Sequence, residues 1–144
     1  MIRALGALLV GGLLLSACGS ISSATALTSW VVQSSFLSSA KALVTDAQHS
    51  AGQLKSLSSS DADLHTVCGV LLVDTESANA SLPTPDGRAT TLLSKAYTNL
   101  GAGANECYGA SSNVSARAKA LASMTLGLAD LSEASARIAS ASTP

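Results

Sequence analysis

Proline is nearly absent from this chain, and where it does occur it divides what can be helical from what cannot. The sequence holds three prolines, and two of them fall within Leu82-Pro83-Thr84-Pro85-Asp86. Proline lacks a backbone N–H and clashes with the preceding turn, so no helix continues through that segment. Elsewhere, long stretches rich in Ala, Ser and Leu repeat apolar residues at helical intervals. The expectation is an all-α chain, with four helices joined by short turns as an antiparallel, up-down four-helix bundle.

The first helix is predicted from about Ser29 to Leu57, with Trp30, Leu37, Val44, Ala47, Ala51 and Leu54 facing inward. Ser58-Ser59-Ser60, followed by Asp61 and Asp63, marks a stop and a restart, because serine caps a helix N-terminus and aspartate suits its positive end. A second helix follows from Asp61 to about Ala80, placing Leu64, Val67, Cys68, Leu71 and Ala78 inward. Within it, Val70-Leu71-Leu72-Val73 is continuous enough to read as a strand, but no partner strand exists for it. The third helix is predicted over Pro85–Tyr108, capped by Thr84 with Pro85 in its first position. Its inner positions are Ala89, Leu92, Leu93, Ala96, Leu100, Ala104 and Cys107, and Gly101 and Gly103 weaken its later part. The fourth spans about Ser112 to Ser140, with Val114, Leu121, Met124, Leu128, Leu131 and Ile138 as its stripe. With so much Ala and Ser the core is thin, but such a core lets helices approach closely.

The N-terminus carries a different signal. Arg3 precedes an apolar run from Ala4 to Leu15 that is too short to span a bilayer, which takes about 20 apolar residues. Small residues follow, in the layout of a secretory signal, and the run closes on Leu15-Ser16-Ala17-Cys18. Those four residues resemble the bacterial lipobox at every position. The resemblance implies diacylglyceryl transfer to the Cys18 thiol and cleavage before Cys18, so that residues 1–17 are a lipoprotein signal peptide. It also implies a membrane partner through the lipid on Cys18, at the extracytoplasmic face of a bacterial cell membrane. Residues 18–28, Ser/Thr-rich and uncharged, read as a tether to a helical domain over 29–144.

Export also bears on the other cysteines, since thiols pair outside the cytoplasm. With Cys18 lipidated, Cys68 and Cys107 remain as one pair. A tight hairpin at Pro83 would leave Cys107 roughly 13 Å beyond Cys68. If instead the second helix ends near Ala80 and four residues run extended, the turn adds about 12 Å and the cysteines come level. A disulfide between them is therefore expected.

Composition excludes some function classes. Charged residues make up 12%, aromatics 3%, and the formal net charge is −1. Sequence-blind nucleic-acid binding needs cations along a groove and rings on which bases stack, and neither is present. Sugar platforms are disfavoured by the same shortage of aromatics. No catalytic set assembles: the serines lack a His-and-acid triad, G-x-S-x-G is absent, and Asp74 and Glu76 point different ways on one helix. Asp46-x-x-His49 has half the form of a carboxylate-bridged metal site, but the second half is missing and His49 faces outward. His65 with Asp61, near the same end, reads as exposed polar surface. No catalytic residue, metal ligand or cofactor is predicted.

Cys68, the Pro83–Asp86 turn, and Gly101-Ala102-Gly103-Ala104 leading to Cys107 together resemble a pattern in small uncharacterised exported proteins of actinobacteria. This resemblance covers about 40 residues and implies a bundle clipped by one disulfide, with no known activity. The resulting expectation is a non-enzymatic, lipid-anchored module whose partner is another envelope protein. The alternative is a carrier or sensor of a small apolar ligand held between the helices.

Overall fold

The computed structural model describes residues 22–56 and 58–143. The residues read as a signal peptide and a lipobox, Cys18 among them, lie outside the described residues. The described chain is all-helical, with five helices: α1 (Ser23–Gln33), α2 (Phe36–Lys55), α3 (Asp61–Asn79), α4 (Gly87–Tyr108) and α5 (Val114–Ala141).

The expected single first helix is two helices, and the first begins inside the segment read as a tether. Ser22 caps α1 by accepting from the Thr25 N–H. Leu27 then buries almost completely against the core, so Ser23 to Thr28 are ordered by packing that their composition does not advertise. The break comes at Ser34-Ser35. Ser34 Oγ donates to the Trp30 carbonyl at 2.7 Å, and Ser35 adopts a left-handed backbone with φ 53°. Serine side chains compete in this way with the helical ladder. The break re-phases the stripe, turning Phe36 and Leu43 inward while Leu37, expected in the core, is 71% exposed. Val44 and Ala51 are half-buried. The Trp30 indole N–H donates to the Ser81 carbonyl at 3.0 Å, which pins the end of α1 to the turn after α3.

α3 starts where its cap signals placed it. Ser60 and Asp63 form a reciprocal capping box. α4 starts two residues later than expected. Asp86, not Thr84, is the cap, and its carboxylate accepts from the Ala89 N–H at 2.7 Å. Thr84 is instead buried inside the turn, bonded to Asp86 and Thr90. Pro85 accordingly stays outside the helix. Asn113 caps α5, and Val114, expected inward, is 72% exposed because it occupies the first turn beyond the core.

α4 is the centre of the packing, lying against both α3 and α5, while α2 packs on α3 and α5. Near the start of α4, Arg88 meets Glu133 late in α5, and near its end Glu106 meets Lys119 early in α5. The two helices therefore run in opposite directions. Their approach is unusually close. A Cβ at Gly103 would lie 2.9 Å from the Met124 backbone N, and one at Gly127 would lie 2.8 Å from the Leu100 backbone N. In each case a glycine on one helix takes the backbone of the other. Gly127→Ala is expected to lose about 1–3 kcal/mol through overpacking, although an alanine in an exposed helix interior normally gains up to ~1 kcal/mol over glycine. Gly52→Ala, with open space around its Cβ, is the matched control and is expected to stabilise. Urea midpoints of the two variants check the pair, and a stabilising Gly127→Ala would mean that α4 and α5 do not touch this closely.

Cys68 and Cys107 form a disulfide across α3 and α4, with Cα atoms 5.9 Å apart. From Cys68 to the end of α3 is about 16 Å, and from Gly87 to Cys107 about 30 Å. The non-helical connector over 80–86 takes up the difference, as the two prolines required.

Candidate functional site

The residues weighed for metal or acid–base chemistry do not converge. His49 and His65 are both exposed. The His65 ring stacks on Tyr108, centroids 4.2 Å apart and nearly parallel, at the disulfide end of α3. Among the described residues, no group of three or more His, Cys, Asp or Glu is placed to hold a metal ion. Helix packing does bring together one pair that sequence separation hid. Asp46 on α2 faces Asp74 on α3, and partial desolvation, then the hydrogen bond and repulsion from Asp74, hold the Asp46 carboxyl above its usual range against the opposing pull of His49. The adjoining hollow, beside Asp74 and Ser77, measures about 110 Å³, too small for most substrates.

The ionic contact that organises one end of the molecule is Arg137 with Asp86, at 2.6 Å. Asp86 thus caps α4 and ties it to α5 at once. The hydrogen bond from Arg137, with that from the Ala89 N–H, holds the Asp86 carboxyl below the usual carboxylate range. A depressed folded pKa stabilises the protein fully above the unfolded value of about 3.9, and that contribution fades as pH falls through the folded value. Asp86→Ala is expected to cost about 1–2 kcal/mol at pH 7. The gap between variant and wild type should narrow below about pH 4. Thermal melts of both proteins between pH 7 and 2 check this, and a gap independent of pH would sink the assignment.

Two adjoining concave surfaces lie beside α1. An apolar slot of about 290 Å³ runs between the α1–α2 elbow and the end of α5, lined by Val31, Val32, Phe36, Leu37, Ile138 and Ala139. Val32 and Leu37, 74% and 71% exposed, form its rim. Thr28 and Ser142 join it to a second cleft of about 620 Å³, more apolar than polar, lined by serines and threonines such as Ser22, Thr25 and Ser140 together with Ala24 and Ala141. Among the described residues, no charged side chain lines either one. Sequence reasoning missed this site because it placed Leu37 in the core and Ser22 to Thr28 in a tether. The one signal available was the absence of any charged residue between Arg3 and Lys41.

Fold and site together define a small all-helical domain, clipped by one disulfide, with an uncharged surface cleft at one end. No known family, curated protein or solved structure matches the chain. Among the described residues, no helix is long and apolar enough to cross a membrane.

Proposed function

We propose that this protein is a lipid-anchored, non-enzymatic binding module of the extracytoplasmic face of a bacterial membrane, held there through Cys18. In this reading α2 to α5 form the antiparallel, up-down four-helix bundle and α1 is an added arm. The anchor rests on the lipobox residues Leu15 to Cys18, behind a charged start and a short apolar run. The binding role rests on the elbow face, where exposed Val32 and Leu37 adjoin an apolar slot. Val70 and Val73, 48% and 63% exposed, make a second exposed apolar pair one turn apart on α3, but neither lines the slot.

The envelope-protein partner and the small apolar ligand remain the two readings of that face. The slot favours the second, in a modified form: the ligand site lies at the edge of the bundle, since the α4–α5 core is closed by glycine-to-backbone contact.

Cys18→Ala tests the anchor. The wild-type protein should fractionate almost wholly with membranes and carry the mass of its acyl groups. The variant should lose that mass and appear in the soluble fraction or accumulate uncut. A variant that stays membrane-bound with wild-type processing would refute lipidation at Cys18.

A further inference from the structure

The slot and cleft beside α1 differ in chemistry but share two residues. The slot is almost wholly hydrocarbon, the cleft mixes serine and threonine side chains with apolar surface, and Thr28 and Ser142 belong to both. Together they reach the size of small-molecule sites, about 300–1,000 Å³. Asp86 and Arg137, in a neighbouring hollow that shares Ser23 and Ala141 with the cleft, neutralise each other at 2.6 Å. Nothing in the described lining would therefore compensate a charged ligand, which pays heavily for leaving water unpaired.

Ser142 supplies an independent observation. Among the described residues its Oγ is the buried side-chain oxygen without a hydrogen-bond partner. Buried hydroxyls are normally satisfied. Ser142 lines both the slot and the cleft, so this residue stands at their junction. There it would meet the first polar atom of a molecule whose apolar part fills the slot.

We propose that this face binds one neutral, single-chain lipid, with its acyl chain in the slot, its uncharged hydroxyl- or ester-bearing head in the cleft, and Ser142 Oγ at the join. A protein partner or a second copy fits less well. A stable interface takes about 800 Å² per partner, and two rim side chains do not supply that. The proposal rests on the binding-module reading above and draws on the anchor only for supply. Cys18 precedes Ser22 by four residues, at most about 14 Å of extended chain, which keeps the cleft beside the bilayer from which such a lipid would come.

The test uses the full chain carrying Cys18→Ala, recovered from the soluble fraction, or the wild-type chain if that proves to be the soluble form. The lipid assay therefore stands whether or not the anchor reading does. The probe is monooleoylglycerol below its aggregation threshold. Trp30, the chain's single tryptophan, reports on binding because its ring lies 5.5 Å from that of Phe36, which lines the slot. Saturable binding of one lipid per chain is expected. Ala139→Phe, which fills the slot from an exposed position, and Val32→Asp, which charges its rim, should each weaken binding at least tenfold, while Val73→Asp on exposed α3 surface leaves it unchanged. Ser142→Ala should weaken it roughly fivefold, and oleate, charged at pH 8, should bind at least tenfold more weakly than the glyceride. The proposal is overturned by non-saturable uptake, by equal effects of Val73→Asp and Val32→Asp, or by a concentration-dependent dimer that shields Val32 and Leu37 in place of lipid.

Discussion

Arg117→Ala is expected to destabilise the protein by about 3 kcal/mol. Arg117 sits near the start of α5 and is only 7% exposed, yet it faces no carboxylate. Its guanidinium spends its donors on main-chain carbonyls: Ser111 at 2.6 Å, Leu54 at 3.2 Å, Ser56 at 2.8 Å and Ser59 at 3.4 Å. Leu54 and Ser56 lie at the C-terminal end of α2, where carbonyls lack helical partners and the dipole is negative. A cation fanned over those oxygens does the work of a C-cap while fastening α2 to both the α2–α3 connector and the turn before α5. Removing it strands several buried acceptors, each costing about 1–3 kcal/mol unless water reaches it. Arg117→Lys should recover less than half of the loss, because an ammonium cannot reproduce the planar fork. Chemical denaturation with urea measures both. A wild-type midpoint in Arg117→Ala would show that solvent replaces these bonds without cost.

The second large effect is expected from the disulfide. Cys68 and Cys107 are 39 residues apart, and their bond removes loop-closure entropy from the unfolded chain. Replacing both by alanine should cost roughly 4 kcal/mol in the chain-entropy account. Both side chains are fully buried beside Leu64, Leu71 and Ala104 in the core, so the loss of sulfur volume adds to the cost. Reductant should lower the unfolding midpoint of the wild type toward that of Cys68→Ala/Cys107→Ala and leave the variant unmoved. Mass measurement after alkylation under native, oxidised conditions should find neither thiol reactive. Two alkylated cysteines in folded, oxidised protein would refute the bond.

Much of the fold was legible because it is written in local chemistry. The capping box at Ser60 and Asp63 announces α3 through the hydrogen bonds that those side chains make with their own backbone. The prolines at 83 and 85 separate α3 from α4 whatever surrounds them. They also determine the length of the connector, which is why the Cys68–Cys107 register followed from counting residues. The expectation of no nucleic-acid partner rests on the same kind of signal, too few cations and aromatics, which no folding alters.

What required the folded chain is whatever depends on residues distant in sequence. Ser34-Ser35 resembles any other serine pair until Phe36 and Leu27 compete for the core and the helix breaks to bury both. That break turns Leu37 outward and creates the slot. Arg117 becomes a buried clasp only where the end of α2 meets it. Gly103 reads as a helix weakness, yet a neighbouring backbone within 3 Å of where its Cβ would stand turns it into a contact, and Gly127 makes the same contact in reverse. Asp46 and Asp74 likewise meet only because α2 packs on α3. Capping, chain stiffness and periodicity act within a few residues and are encoded one residue at a time. Close packing and the desolvation of a charge depend on which surfaces meet, and that is decided only when the helices assemble.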